Sequence, residues 1–260
     1  MKLLSIQSDA KTIKGENSQD IQDLIKEQLK ALGLAENSKF MTAILYLEPD
    51  EILCPHASKG CMAACLKSSG RMGMHMAENA RLRRTGLWHK HRDAFLYMLT
   101  QEIEKFIKKA ERKGLTPVVR LNGTSDIVWE AVRLDDGQTI FERFASVQFY
   151  DYTPNKYRLS RQLPPNYHLT FSLKEDNKRQ ALDALSEGHN VAVVFRKELP
   201  KQWHGFKVID GDKHDLRFLD GQNVVVGLKA KGKARKDESG FVQDVEESYQ
   251  PASFLQGALA

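Results

Sequence analysis

All three cysteines of this 260-residue chain, Cys54, Cys61 and Cys65, lie within twelve consecutive positions, in the spacing C-x6-C-x3-C. Because three is an odd number, disulfides cannot use them all. A redox pair with one spare thiol, a metal site and a catalytic thiol are the chemistries that such a group supports. In the cytoplasm, grouped thiols stay reduced and bind metal or do chemistry more often than they form structural disulfides. The spacing therefore favours a metal site.

Three thiolates suit an iron–sulfur cluster with one open iron, or a zinc ion with one open coordination position. Zinc sites more often use a compact C-x2-C knuckle, whereas small residues line this loop and let the backbone close around a bulky cluster. We expect a cluster, with zinc as the alternative, and we do not expect His56 to be a fourth ligand. Three buried cysteines that act as small hydrophobic side chains are the structural alternative.

The composition, with 41% hydrophobic and 28% charged residues, is that of a globular protein with a substantial core. The N-terminus turns polar too soon for a signal sequence, and no apolar run approaches the ~18 residues of a membrane span. We expect a cytoplasmic protein, in the host cytoplasm if a phage encodes it, with no membrane partner. The net charge of +5 is compatible with a nucleic acid or a phosphate-bearing ligand.

The hydrophobic pattern alternates between helices and strands. "NSQDIQDLIKEQLKALGL" predicts an amphipathic helix that Asn17 or Ser18 caps, and a long helix is predicted over 87–113. Strands are predicted at "FMTAILYL", "TPVVRL", "SVQFYDY", "YHLTFSL", "NVAVVF", "FKVID" and "NVVVGLK". Nearly continuous Val, Ile and Phe in these runs is typical of a parallel sheet covered by helices.

Six or seven strands are too few for a complete eight-fold barrel. We therefore predict an α/β fold with a partial or irregular parallel β/α barrel, and a doubly wound sheet as the second choice. The predicted organisation is an N-terminal segment with a helix at 1–39, the barrel domain at 40–238 and a C-terminal tail at 239–260. In either fold the function lies at the carboxyl ends of the strands, and the cysteines follow the first strand of the domain.

Polar residues follow other strands at the same edge. Because consecutive parallel strands lie side by side, we expect the turn at 122–126 to lie beside the cysteine loop, which we define as residues 52–73. A turn after "TPVVRL" can hold a ligand through backbone amides and short side chains, or it is an ordinary capped turn; its residues are Asn122, Gly123, Thr124, Ser125 and Asp126. Candidate catalytic residues at strand ends are Asp151, Lys174, Arg196 and Lys229, for which a surface or strand-cap role is the alternative.

Two basic stretches could contact phosphates. The lysine segment, which we define as residues 229–236, carries Lys229, Lys231, Lys233, Arg235 and Lys236 between glycines. It can bind a phosphate or a nucleic-acid backbone, and a solvated loop is the alternative. The second stretch, "ARLRRTGLWHKHRDAF", interleaves Trp88 with bases, but we expect this tryptophan to pack in the core rather than stack on nucleobases.

A cysteine triplet after the first strand of an open α/β barrel resembles the radical S-adenosylmethionine enzymes, although their usual spacing is C-x3-C-x2-C. The resemblance implies that the three cysteines hold a [4Fe–4S] cluster whose open iron chelates the amino and carboxylate groups of S-adenosylmethionine. It also places the 122–126 turn where those enzymes hold the amino group, with Asp126 in the acidic role. A reductant and an unidentified small-molecule substrate would then be needed.

Nearly the whole chain also resembles the gene product 88 family of phages and prophages. The resemblance lies in "TPVVRLNGTSDI", "VQFYDYT", "NYHLTFSL", "NVAVVFR", "WHGFKVIDGD", "DLRFLD" and "VVVGLKAKGKARKD". It implies a phage or mobile-element origin and leaves the reaction open. The remaining alternatives are a zinc-containing nucleic-acid-binding or nuclease-type protein and an iron–sulfur redox sensor. Whether the chain is an enzyme stays open on these residues.

Overall fold

The part of the chain that the structure describes is built on a sheet of ten strands. The computed structural model describes residues 1–6 and 19–245; residues 246–260 of the predicted tail, and the caps expected at Asn17 or Ser18, lie outside this part. The strands are β1 (Leu4–Ile6), β2 (Phe40–Leu45), β3 (Thr116–Arg120), β4 (Gln148–Thr153), β5 (Tyr167–Ser172), β6 (Val191–Phe195), β7 (Gln202–Trp203), β8 (Phe206–Asp210), β9 (Val225–Lys229) and β10 (Val242–Gln243).

The strand order is β1-β2-β3-β4-β5-β6-β9-β8-β7, and β10 also pairs with β6. Strands β2 to β6, β9 and β8 run parallel, while β1 and β7 are antiparallel edge strands. No pairing joins β1 to β7 among the described residues, so the sheet does not close through hydrogen bonds. The chain is therefore a mixed α/β protein with a mostly parallel sheet whose carboxyl ends share one edge.

Every strand that the hydrophobic runs predict is present. Strands β1, β7 and β10 were not predicted, because two or three residues are too few to show a periodic pattern. The first lies within 1–39 and the last within 239–260, so both flanking segments add a strand to the sheet.

The helices are α1 (Gln19–Ala31), α2 (Lys59–Ala64), α3 (His75–Lys90), α4 (Arg92–Glu111), α5 (Ile140–Arg143), α6 (Lys156–Leu159) and α7 (Lys178–Ser186). The long helix predicted over 87–113 is present as α4, but its predicted start is wrong, because the backbone leaves the helical region at His91 and divides α3 from α4. Helix α3 could not be predicted as a separate helix, because its buried residues include Arg81 and Thr85 and the sequence therefore shows no apolar stripe there.

The two faces of the sheet have different cores. Successive residues of a strand point to opposite faces, so Val119 and Phe149 join the large cluster against α4 and α7, while Val118 and Tyr150 face α1. The second face also buries charge, because the Arg120 Nη1 lies 2.9 Å from the Asp215 Oδ2. The hydroxyls of Tyr150 and Tyr152 donate to the same carboxylate.

His168 in β5 should make the fold sensitive to acid. Desolvation, with smaller contributions from Arg217 and His189, lowers its pKa to about 4. The folded state thus disfavours the charged ring. The stability that the neutral ring contributes is present above pH 6.5 and is lost as the pH falls towards 4. This group alone should remove about 2 kcal/mol of unfolding free energy between pH 7 and pH 5.

Denaturant unfolding at both pH values measures this effect. His168→Gln should reduce the loss on acidification by about 2 kcal/mol. An equal pH dependence in wild type and His168→Gln would contradict the assignment.

Candidate metal centre

The loop that carries Cys54 begins after β2 and is held against the turn that follows β3. The Asp126 amide donates to the Leu53 carbonyl at 2.7 Å. The Cys54 Sγ lies 3.9 Å from the Thr124 carbonyl oxygen. The expectation that the cysteine loop and the 122–126 turn are neighbours is thus confirmed, and Cys54 sits directly beside the turn.

Cys61 is fixed by a carboxylate from the loop after β5. Ser58 caps α2 by accepting a hydrogen bond from the Cys61 amide at 3.2 Å. The same hydroxyl donates to Glu175 Oε2 at 2.6 Å, and the Gly60 amide donates to Glu175 Oε1 at 2.7 Å. A single carboxylate therefore holds the start of the helix on which Cys61 lies, so the position of this thiol depends on β5.

Cys65 ends α2, and the chain beyond it is held on two sides. Glu48, just after β2, pairs with Lys67 at 2.6 Å and with buried Arg81 at 2.8 Å. Ala64 packs with alanines of the lysine segment, Ala230 and Ala234. The loop also reaches the end of β4, because the His56 ring lies 3.0 Å from the Asn155 side chain. It thus contacts the segments that follow β2, β3, β4, β5 and β9.

The three partly exposed thiols lie close together, because Cys61 and Cys65 both raise the pKa of Cys54 and Cys65 raises the pKa of Cys61. Desolvation is the largest cause and raises the pKa of Cys54 and of Cys61 to about 12. Asp126 and the other thiols add to the shift at Cys54, and Cys65 and Glu175 add to that at Cys61. Desolvation also raises the pKa of Cys65. Reactive cysteines usually have the opposite surroundings, so these suit a bound cation better than an activated nucleophile.

Most side chains of the 122–126 turn are used by the protein itself. The Asn122 side-chain oxygen accepts from Ser125, Ile127 and Trp129. Thr124 donates to the Leu47 carbonyl. A Cβ on Gly123 would come within 2.6 Å of the Leu45 carbonyl, so glycine lets the turn lie flat on β2. These residues build a rigid turn, and their contacts with a cofactor stay a prediction.

Asp126 differs from the rest of the turn. It is 5% exposed, and its Oδ1 accepts from Arg158 at 2.7 Å. Its Oδ2 has no hydrogen-bond partner of good geometry among the described residues, although Thr153 is close enough to lower the pKa. Arg158 also binds both oxygens of Glu130 at 2.8 Å, so one cation faces two carboxylates. The site keeps an excess of negative charge and one unsatisfied acceptor, and desolvation raises the pKa of Asp126.

Asp151 supports the turn from the next strand. It is fully buried, and its two oxygens accept from the Asn122 amide at 2.7 Å and the Tyr167 hydroxyl at 3.0 Å. Desolvation raises its pKa to about 7. In this structure Asp151 lies within β4 rather than at its end, and its contacts are those of a residue that orients Asn122.

The other candidate catalytic residues lie at different places. Lys174 follows β5, pairs with Asp176 and lies near enough to Cys61 to lower its pKa. Arg196 follows β6 and pairs with Asp244 at 2.7 Å. Lys229 is exposed at the end of β9. Trp88 is buried against Phe95 and Trp129, as the packing interpretation expected.

The sequence did not single out Glu175, Glu48 or Arg158. Glu175 directly follows Lys174 at a strand end, so the rule that selected Lys174 could have found it. Glu48 has the same signal after β2. Arg158 lies in the short helix α6, and its ion pairs join residues 28 and 32 positions away, which no local pattern reveals.

No group of three or more His, Cys, Asp or Glu side chains in residues 1–6 and 19–245 is arranged to hold a single metal ion. Within the same part of the chain, none of the helices has the length and hydropathy that crossing a bilayer requires.

Sheet and site together define an α/β protein with a cysteine loop laid across the carboxyl edge of a parallel sheet. The chain belongs to the Gene product 88 family, a phage protein family whose model matches residues 6–245. No curated protein and no solved structure matches it.

The position of Gly60 predicts a test of the Glu175 contact. A Cβ at Gly60 would lie 2.2 Å from the Ser239 Oγ and 2.7 Å from Glu175 Oε2, so Gly60→Ala must displace the carboxylate. We expect a loss of about 1–3 kcal/mol in the free energy of unfolding. Gly86→Ala in α3 is the matched control, because nothing lies within 4 Å of its Cβ and alanine favours a helix by about 1 kcal/mol. If denaturant unfolding ranked the two variants the other way, the contact would be rejected.

Proposed function

We propose that the protein binds a [4Fe–4S] cluster through Cys54, Cys61 and Cys65 and acts as a radical S-adenosylmethionine-like enzyme on a substrate still to be identified. We also propose that the sheet curls as a partial β/α barrel. The observation that carries the proposal is a buried Asp126 carboxylate, whose Oδ2 has no partner of good hydrogen-bond geometry in the described part of the chain, close to the thiols of Cys54 and Cys61. A buried acceptor without a partner costs about 1–3 kcal/mol, which a bound ligand would offset.

The residues present fit such a centre. Arg158 supplies one positive charge to the two carboxylates of Asp126 and Glu130. Thiolates at the three cysteines would add further negative charge to this site, and the positive charge of bound iron would offset that charge.

A reduced cluster with S-adenosylmethionine supplies a 5′-deoxyadenosyl radical when both are bound. The chain's own contribution is to hold and orient. Asp126 would accept a hydrogen bond from an N–H of the cofactor's amino group, and Arg158 holds the Asp126 carboxylate in place and opposes the rise in its pKa that desolvation causes. The 122–126 turn, held by Asp151 and Asn122, places this acceptor beside Cys54.

Metal analysis of cysteine variants tests the ligands. After anaerobic reconstitution, wild type should hold about four iron atoms and be brown, while alanine at Cys54, Cys61 or Cys65 should remove most of the iron. Met62→Ala, within α2 and between two of the cysteines, is the control and should keep it. Stoichiometric zinc in colourless wild type would support the zinc alternative. Full iron in all three cysteine variants would refute the ligand assignment.

Cofactor binding tests Asp126. Asp126→Asn keeps the shape and removes the charge, so the affinity for S-adenosylmethionine should fall about 10- to 100-fold, because hydrogen bonds to charged groups contribute ~1.5–3 kcal/mol. Exposed Asp135→Asn should bind as wild type does. The same reduced samples are assayed for 5′-deoxyadenosine. A clustered wild type that neither binds nor cleaves the cofactor would favour a redox sensor; normal binding by Asp126→Asn would reject this residue's role alone.

A further inference from the structure

The lysine segment forms a fixed surface beside the cysteine loop. Its backbone is a short 3-10 helix at Gly232–Lys236, and Ala230 and Ala234 are buried against Ala64 of α2. Gly232 has a φ of 54°, and a Cβ there would lie 2.7 Å from the Ser69 Oγ. The segment is therefore packed on the chain that follows Cys65. A solvated loop, by contrast, would be held in place only at its two ends.

The cations of this segment are exposed and mostly unpaired. Lys231 pairs with Asp212 at 2.7 Å. Lys229, Lys233 and Lys236 make no ion pair with any residue in the described ranges, and Lys59 at the start of α2 makes none there either. A row of exposed, unpaired ammonium groups suits a string of phosphates better than one enclosed phosphate, which needs donors that converge.

A large exposed aromatic ring lies at the same edge of the sheet. Tyr157 in α6, after β4, is 75% exposed. Its backbone is fixed, because its amide donates to Asn155 at 3.1 Å, and Asn155 contacts His56 of the cysteine loop. Exposed aromatic rings beside cations let unpaired bases stack, which bases within a duplex cannot do.

We propose that this edge binds single-stranded nucleic acid, with Lys59, Lys229, Lys233 and Lys236 contacting phosphates and Tyr157 stacking on a base. The cysteine loop connects the two ends of the surface, since it contacts Asn155 near one and Gly232 at the other. The strand would thus follow the edge of the sheet on which this loop lies. The proposal stands whether or not the thiols hold a cluster, because every group that it uses belongs to the protein.

Fluorescence anisotropy of the full-length chain with a labelled oligothymidylate of about 20 nucleotides tests the proposal across a salt series. Replacing Lys229, Lys233 and Lys236 together by alanine should lower the magnitude of the logarithmic salt slope by about 2 and weaken binding about 100-fold near 0.1 M salt. The matched control replaces Lys105, Lys109 and Lys113, which carry the same charge on and just after α4. It should bind nearly as wild type does.

Tyr157→Ala separates stacking from charge. It should weaken oligothymidylate binding by about 1–3 kcal/mol, or roughly 5- to 150-fold, without changing the salt slope. Wild type should prefer the single strand to a duplex of the same length, and the preference should shrink in Tyr157→Ala. Absence of binding at low salt, equal losses in the two triple variants, or equal affinity for duplex and single strand would each overturn the proposal.

Discussion

The placement of the cysteine loop depends on hydrogen bonds that tie it to the carboxyl edge of the parallel sheet. Leu53 is bonded to Asp126 after β3, and the start of α2 is bonded to Glu175 after β5. Because parallel strands end at one edge, residues more than 100 positions apart meet there. The loop is thereby fixed at several points, and its three thiols lie near one another.

Charge at this edge is arranged unevenly. Around Cys54 and Cys61 carboxylates dominate, with Asp126, Glu130 and Glu175 facing Arg158 and Lys174. Further along, the lysine segment presents cations to solvent. Buried negative charge with an unsatisfied acceptor suits a cationic guest, whereas exposed positive charge suits a polyanion. The two kinds of ligand would occupy separate parts of the carboxyl edge of the sheet, so binding of one need not exclude binding of the other.

The strands and the position of the cysteine loop could be predicted because they depend on local signals. Runs such as "NVAVVF" indicate buried strands directly. Because parallel strands end at one edge of the sheet, the sequence also predicts that Cys54 lies beside the 122–126 turn. The division at His91 could not be predicted, since α3 buries Arg81 against Glu48 and lacks an apolar stripe. The ion pair between Asp126 and Arg158 could not be predicted either, because a contact between residues so far apart in the chain leaves no periodic pattern in the sequence. The sequence therefore indicated where the cysteine loop lies, and the structure identified the contacts that position it.

The central claim is that three thiolates hold a cluster whose fourth iron is open. Mössbauer spectroscopy of anaerobically reconstituted, ⁵⁷Fe-labelled wild type, with and without S-adenosylmethionine, tests this most directly. The account predicts a [4Fe–4S] signal of about four iron atoms per chain. S-adenosylmethionine should shift the part of the spectrum that comes from one iron, roughly one quarter of the signal, and leave the rest unaltered. A spectrum that the cofactor does not change, or a chain that holds no cluster under these conditions, would contradict it.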